Sequence, residues 1–319
     1  MNAKYYLFKK ILLTVTITIL LLLPQIAISS DTKKLNTISE QFIKEGNFRT
    51  NRTLDDYRSI FGKEFYMALK SLHRTECWLD AGSGVGFQIY GYYGLKLEPE
   101  NEDCSTAHYK GNVNTARLED MKKLANAIMV TFEHLNEENI NKLADNVSNM
   151  SKEALHEVIE KIEKKGQGKV QIFNKRFFED ISIDEYACPK IDLLTDFFGV
   201  ISYTHDPSTV LEKYKNLMDE YGKAFIFLGV PGAVNNTILS DKVEISEGKE
   251  ILFVDWIKTL PNFKSKLIGN YAQSIVLELN PDLSAREKTI PKLRLKYIDT
   301  KSRIPPYRVF TLLPERVDK

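Results

Sequence analysis

Cysteine is scarce in this chain of 319 residues: Cys77, Cys104 and Cys188 form an odd set with no CxxC spacing. That argues against a disulfide framework and against a structural zinc site. Cys77 sits in an apolar run and reads as buried packing, while one bridge between Cys104 and Cys188 stays open in an oxidising compartment. Net charge is almost absent as well. The 44 basic residues face 43 acidic ones, a formal +1, so there is no electrostatic surplus to hold a polyanion, and nucleic-acid binding draws no support from charge. The histidines, His73, His108, His134, His156 and His205, show no paired ligand spacing, and nothing in the sequence points to a bound metal. No internal repeat is visible. What remains, 43% apolar and 27% charged residues, is the ordinary composition of a folded domain.

The long hydrophobic run is at the N-terminus. Lys4, Lys9 and Lys10 precede an apolar and threonine stretch from Ile11 to Leu23, followed by Pro24 and by small residues at Ala27 and Ser29. This is the charge, core and small-residue order of a secretory signal peptide. The expectation is an exported domain, periplasmic or secreted. If the segment is kept, residues 11–28 anchor the domain to a membrane with its body outside. Without residues 1–30 the balance becomes 41 basic against 43 acidic residues.

Along the rest of the chain, Thr53 offers an N-cap with Asp55 and Asp56 in the first turn. Tyr57, Ile60, Phe61, Phe65, Leu69 and Leu72 then fall at helical spacing. "CWLD" reads as a buried strand ending at Asp80, followed by a glycine turn and an apolar helix start, "GFQIYGYY". Residues 96–120 are polar and irregular, "AIMVTF" is a second strand, and residues 137–165 carry two amphipathic helices ended by "GQG". "KVQIFN" and "KIDLLTDFF" supply the third and fourth strands, "STVLEKYKNLMDEYG" a helix stopping at Gly222, and "KAFIFLG" the fifth strand. Strands alternating with helices imply a mainly parallel sheet. The end, "KLRLKYIDTKSRIPPYRVFTLL", reads as an antiparallel hairpin at the edge of that sheet.

The loop "DAGSGVG" carries the chemistry. Glycines at a strand end let backbone approach a ligand, and the following helix offers N–H groups. A dinucleotide fingerprint reads GxGxxG. Here Gly82, Gly84 and Gly86 read GxGxG, and Asp80 stands two residues before the first. A carboxylate there repels a phosphate and attracts an ammonium group, so the loop suits a zwitterionic amino-acid moiety better than a pyrophosphate. A nicotinamide-dependent oxidoreductase is disfavoured on the same grounds.

"WLDAGSGVG" resembles the first motif of class I S-adenosylmethionine-dependent methyltransferases. "IDLLTDFFGVISYTHDPSTVLEKYKNLMDEYGKAFIFLG" is similar to that family's fourth strand, loop, helix and fifth strand, and the terminal hairpin to its strands six and seven. The resemblance spans roughly residues 54–313. It implies an α/β, Rossmann-like, seven-stranded mainly parallel sheet with an antiparallel C-terminal hairpin, helices on both faces and an N-terminal helical cap. The domains expected are a leader at 1–30, a cap at 31–73 and a methyltransferase-like domain at 74–319 with a helical insertion at about 96–165.

The resemblance also implies site residues. Asp80, Ala81, Gly82, Gly84 and Gly86 line the methionine part of S-adenosylmethionine, and Glu133, after the second strand, takes the ribose hydroxyls. Arg176 and Phe177 stand where the family often has an acid and an apolar residue near the adenine, so Phe177 or Phe178 is left to cover a ring face. Asp196 borders cofactor and substrate. His205 and Tyr203, in "ISYTHDP", are the candidates for a base if the acceptor needs one. The absence of an Asn-Pro-Pro-Tyr type motif counts against methylation of an exocyclic base nitrogen. The implied function is methyl transfer, with a small molecule slightly favoured over a protein as acceptor. The alternative is an exported non-catalytic ligand-binding or interaction protein that retains the fold.

Overall fold

The computed structural model describes residues 52–84, 86–93, 95–97, 113–115, 125–131, 153, 156–157, 159–160, 170–228, 241–269, 275–299 and 307–314. The expected leader and Glu133 lie outside the described residues, as does most of the expected helical pair at 137–165. Of that pair, residues 153, 156–157 and 159–160 are helical, with His156 exposed and Ile159 buried. Among the described residues no helix is long and apolar enough to cross a membrane.

Helix α1 (Leu54–Ser71) precedes β1 (Cys77–Ala81), which runs through the glycine loop into α2 (Phe87–Tyr93). A short antiparallel ribbon, β2 (Leu95–Leu97) with β3 (Val113–Thr115), occupies part of the segment read as irregular. Then come β4 (Asn126–Thr131), β5 (Val170–Asn174), β6 (Ile191–Phe197), α3 (Val200–Tyr203), α4 (Pro207–Leu217) and β7 (Met218–Phe227). The remainder is β8 (Lys242–Ser246), β9 (Lys249–Leu252), α5 (Phe253–Thr259), β10 (Phe263–Gly269), β11 (Val276–Pro281), β12 (Leu293–Asp299) and β13 (Tyr307–Leu312).

The main sheet is Rossmann-like and seven-stranded, in the order β10-β11-β7-β6-β1-β4-β5. Its central pairs are parallel, and β11 is antiparallel to both its neighbours. The chain builds outward from β1 through β4 to β5 on one side, then returns to build β6 and β7 on the other. That reversal sets a switch point at the carboxyl ends of β1 and β6, the usual place for a ligand in such sheets.

Three expectations are corrected. The antiparallel pair of the main sheet comes from β10 and β11. The terminal hairpin, β12 with β13, belongs to a separate four-stranded sheet ordered β12-β13-β8-β9. The helix read as running to Gly222 ends at Leu217, and Met218 already pairs with Ile191. Gly222 is needed because a Cβ there would lie 2.7 Å from the Ile191 carbonyl oxygen, where the β6–β7 register shifts. It marks a close strand approach, not a helix end. Finally, Cys77 is disulfide-bonded to Cys188, with Cα atoms 6.4 Å apart, which replaces both plain packing and the Cys104–Cys188 bridge. Cys77 opens β1 and Cys188 stands just before β6, so it is the pairing of those two strands that brings the cysteines together.

Alternation along the strands sends side chains to two cores. On one face Trp78, Leu193, Phe197 and Phe225 meet Tyr57, Phe61 and Phe65 of α1. Ring centroids there lie 5.0 Å apart for Tyr57–Phe197 and 6.1 Å for Phe65–Trp78, within the range of favourable aromatic contacts. On the other face Leu79, Leu194 and Ile226 pack with Val210, Leu211 and Tyr214 of α4. Helix α1 starts as its sequence requires, with a capping box in which Thr53 and Asp56 bond each other's backbone N–H groups. It is broken at Gly62.

The second sheet is tied to the first by a buried cation. Arg308, on β13, is 1% exposed. It donates to the carbonyls of Ile201 (3.0 Å) and Thr204 (2.6 Å) at the end of α3, and its Nε donates to Asp241 (2.9 Å). The short helix that follows β6 is thus gripped from the neighbouring sheet.

Candidate functional site

Asp80 and Thr195 are register partners on β1 and β6, so both point to the α1 face beneath the switch point. The Asp80 carboxylate is fully buried and surrounded by donors. Thr195 donates to Oδ1 at 2.8 Å, Tyr57 donates to Oδ2 at 2.8 Å, and the Gln88 side-chain amide also donates to Oδ2. Thr195 in turn accepts from the Trp78 indole at 2.9 Å. Both carboxylate oxygens already accept from within the chain, and Asp80 thereby fastens α1, β6 and the start of α2 under the loop.

Asp196 faces the other side of the sheet and is equally buried. It accepts from the backbone N–H of Gly199 and of Ile201, each at 2.8 Å, and from the Tyr214 hydroxyl at 2.6 Å. Its oxygens organise α3 and the turn before it. Each buried carboxylate thus has a tyrosine from a different helix, Tyr57 for Asp80 and Tyr214 for Asp196.

The loop between them turns at its glycines. Gly82, Gly84 and Gly86 have φ of 81°, 61° and 83°, a region that strongly favours glycine. A Cβ on Gly82 would run into the Cα of Gly199, one on Gly199 into the Ala81 carbonyl oxygen, and one on Gly86 into the Met129 sulfur. The loops after β1 and β6 therefore pack backbone against backbone at Gly82 and Gly199. Phe198, next to Gly199, also has a positive φ of 48°, a strained value for a bulky side chain. The N–H groups of Gly82 and Ser83 both donate to the Val130 carbonyl, at 3.1 and 3.0 Å, and those of Ile89 and Tyr90 to Gly86. The free N–H groups expected at the start of α2 are fewer than the sequence suggests.

Other expected residues sit around this centre. Phe177 is half-buried and leads into a single 3-10 turn after β5. Phe178 is core, 5.3 Å from the Tyr214 ring, and Lys213 lies 5.1 Å over it. Arg176 pairs with Glu185 at the surface (3.0 Å). Tyr203 ends α3, and burial pushes its hydroxyl up to about 12, so at neutral pH it is a hydrogen-bonding group and not a base. His205 is half-buried in the following turn. Its neighbour Asp206 caps α4 through Thr209, at 3.0 and 2.6 Å.

Sequence reasoning missed Arg52, Tyr57, Gln88 and Thr195 as parts of this site. Arg52 is buried, donates to the Phe197 carbonyl, and lies 4.8 and 5.7 Å over the rings of Phe197 and Phe198. Gln88 and Thr195 had a readable signal, each a polar residue inside an otherwise apolar run.

Burial pushes both Asp80 and Asp196 up to about 6 from the ordinary 3.8, against the pull of their hydrogen bonds, and the Asp80 charge adds to the shift at Asp196. Each binds its proton more tightly folded than unfolded, so stability falls as pH rises through about 4 to about 6. Compared with Asp80→Asn, the wild-type protein should lose up to about 3 kcal/mol more between about pH 4 and about pH 6.5. Urea titrations across that range check it, and parallel profiles would contradict it.

The fit of an adenosyl sulfonium cofactor to these residues rests on two observations. The loop at the switch point turns through Gly82, Gly84 and Gly86, all at positive φ. The Gln88 Oε1 atom is buried without a hydrogen-bond partner. Both suit a ligand with an amino-acid end, held by backbone and amide and not by the Asp80 carboxylate.

No protein-family model and no curated protein sequence matches the chain. Solved structures similar to it include a TehB-like SAM-dependent methyltransferase from Corynebacterium glutamicum, at 10% identity and TM-score 0.35, covering 79% of this chain and 99% of that one. A methyltransferase from Geobacter sulfurreducens aligns at 11% identity and TM-score 0.36, covering 78% and 89%. PKMT2 from Rickettsia typhi in complex with AdoHcy aligns at 14% identity and TM-score 0.29, covering 59% of this chain and 27% of that one. The likeness is one of architecture.

Proposed function

We propose that the chain binds S-adenosylmethionine at the carboxyl ends of β1 and β6 and transfers its methyl group to an acceptor. The observation that carries this reading is the loop itself, three glycines at positive φ at the switch point of the sheet. When bound, the cofactor supplies a methyl group already activated by its sulfonium, so the protein mainly has to align an acceptor and exclude water.

In this reading the loop backbone from Gly82 to Gly86, with Gln88, holds the amino-acid end. Asp80 acts from below by fixing Gln88, Tyr57 and Thr195. Asp196 and Arg308 hold α3 from its two ends, which sets Tyr203 beside the β6 loop as a neutral donor. Arg52, stacked on Phe197 and Phe198, narrows the approach to that loop and favours a small acceptor over a protein side chain. Incubation of the purified protein with cell extract and methyl-tritiated S-adenosylmethionine tests this. Label should move into the small-molecule fraction; label in protein alone would reverse the acceptor class, and no transfer would count against the enzyme.

The working place we propose is outside the cytoplasm. The charged and apolar leader order supports it, and so does the Cys77–Cys188 bridge, since disulfides persist mainly in oxidising compartments. Fractionation of a tagged full-length protein should find it in the periplasm, medium or membrane; uncleaved soluble cytosolic protein would overturn this.

A further inference from the structure

One buried polar atom beside the glycine loop has no partner, and its surroundings say what it can accept. Gln88 is fully buried at the start of α2. Its Nε2 donates to Asp80 Oδ2 and, at 3.2 Å, to the Ser83 carbonyl. Both amide hydrogens are thereby used on acceptors. Turning the amide over would set Oε1 against those same two oxygens, so the orientation is fixed by the network. Oε1 is left with both lone pairs unused and no partner, an arrangement uncommon in folded proteins without a role for it.

The other acceptors around it are already engaged. Asp80 receives three donors, Ser83 the Gly86 N–H, Gly84 the Thr131 hydroxyl, and Gly86 the N–H groups of Ile89 and Tyr90. Each of these oxygens already has a donor, whereas Gln88 Oε1 has none, so it is the acceptor left wholly unmet beside the loop. The amide is polarised by the carboxylate bonded to its other end, which makes Oε1 a stronger acceptor. The negative field of Asp80 favours a cationic donor over a neutral one.

We infer that Gln88 Oε1 accepts the α-ammonium of an amino-acid-bearing ligand at the glycine loop, and that Asp80 is a positioning residue that aims it. This rests on the proposed cofactor reading and assigns within it the residue that recognises the amine. It also moves that recognition from the carboxylate to the amide. The selectivity is for a charged amine, not for carboxylate or adenine.

The test compares S-adenosylhomocysteine with its deaminated analogue, which keeps adenosine, thioether and carboxylate and lacks only the amine. With the full-length wild-type protein, S-adenosylhomocysteine should bind at least about tenfold more tightly, the size of one hydrogen bond to a charged group. In Gln88→Met the two ligands should bind alike, with affinity for the deaminated analogue unchanged. Asp80→Asn keeps the shape and removes the charge that aims the amide, so it should shrink the preference; it serves as the readout if Gln88→Met does not fold, and an unchanged preference there contradicts the inference. Equal binding of the two ligands by wild type, or a preference that persists in Gln88→Met, overturns the inference and leaves Oε1 to a buried water. Binding of neither ligand by folded wild type is a different result, since it removes the cofactor reading itself and the inference with it.

Discussion

Reduction of the Cys77–Cys188 bridge should lower the stability of the folded domain by about 4–5 kcal/mol, the chain-entropy value for a closed loop of this size. The bridge has a sequence separation of 111 residues. The segment it closes contains the glycine loop, α2, β4 and β5, so an unfolded chain without it regains much freedom. The bridge also pins the first residue of β1 beside β6, the strand pair on which the switch point depends. Urea midpoints with and without dithiothreitol, and for a Cys77→Ala, Cys188→Ala double variant, measure the effect. A midpoint indifferent to reductant, or a thiol count of three in the unreduced denatured chain, would contradict it.

Asp80→Ala should be nearly as damaging, with a loss of about 4 kcal/mol at neutral pH. A buried carboxylate is expensive in itself, and the rise to about 6 shows as much. Its removal, however, leaves the Tyr57 hydroxyl, the Thr195 hydroxyl and one hydrogen of the Gln88 amide without an acceptor. Each such donor costs about 1–3 kcal/mol, which outweighs the relief of burying the charge. Asp80→Asn keeps one acceptor oxygen and the shape, so it should lose less than half as much. Equal losses for the two variants in urea denaturation would show that packing, not polar satisfaction, governs the position.

Much of the fold was legible. β1, β4, β5 and the core of β7 stand where the apolar runs placed them, and the Thr53 cap is where the capping residues indicated. Burial on both faces makes such strands read as continuous apolar stretches. What failed to read was non-local. "NFKSKLIG" carries lysines on an edge strand, so β10 has no apolar signature, while "KLRLKYID" and "YRVFTL" look like a hairpin equally well in either sheet. Gly222 looked like a helix stop because sequence cannot show that the Ile191 carbonyl passes 2.7 Å from where its Cβ would be.

The site was legible in its backbone, while the internal bonding of its charges was not. GxGxG located a loop that needs glycine, and the structure puts it at the switch point. Asp80 and Asp196 were read as facing a ligand because acids near a glycine loop commonly do so. Strand alternation sends each of them inward, one to Tyr57 and one to Tyr214, and period-2 geometry alone does not say which side of a crevice is occupied. Tyr57 and Arg52 come from a segment read as cap, and their part in the site depends on how α1 crosses the sheet.

Calorimetric titration of the purified, folded protein with S-adenosylhomocysteine tests the central claim most directly. The account predicts saturable binding at one site per chain, lost in Gly82→Val, because a side chain there would strike Gly199 and obstruct the loop. No heat from a protein whose circular dichroism shows it folded, or binding that survives Gly82→Val unchanged, would contradict it.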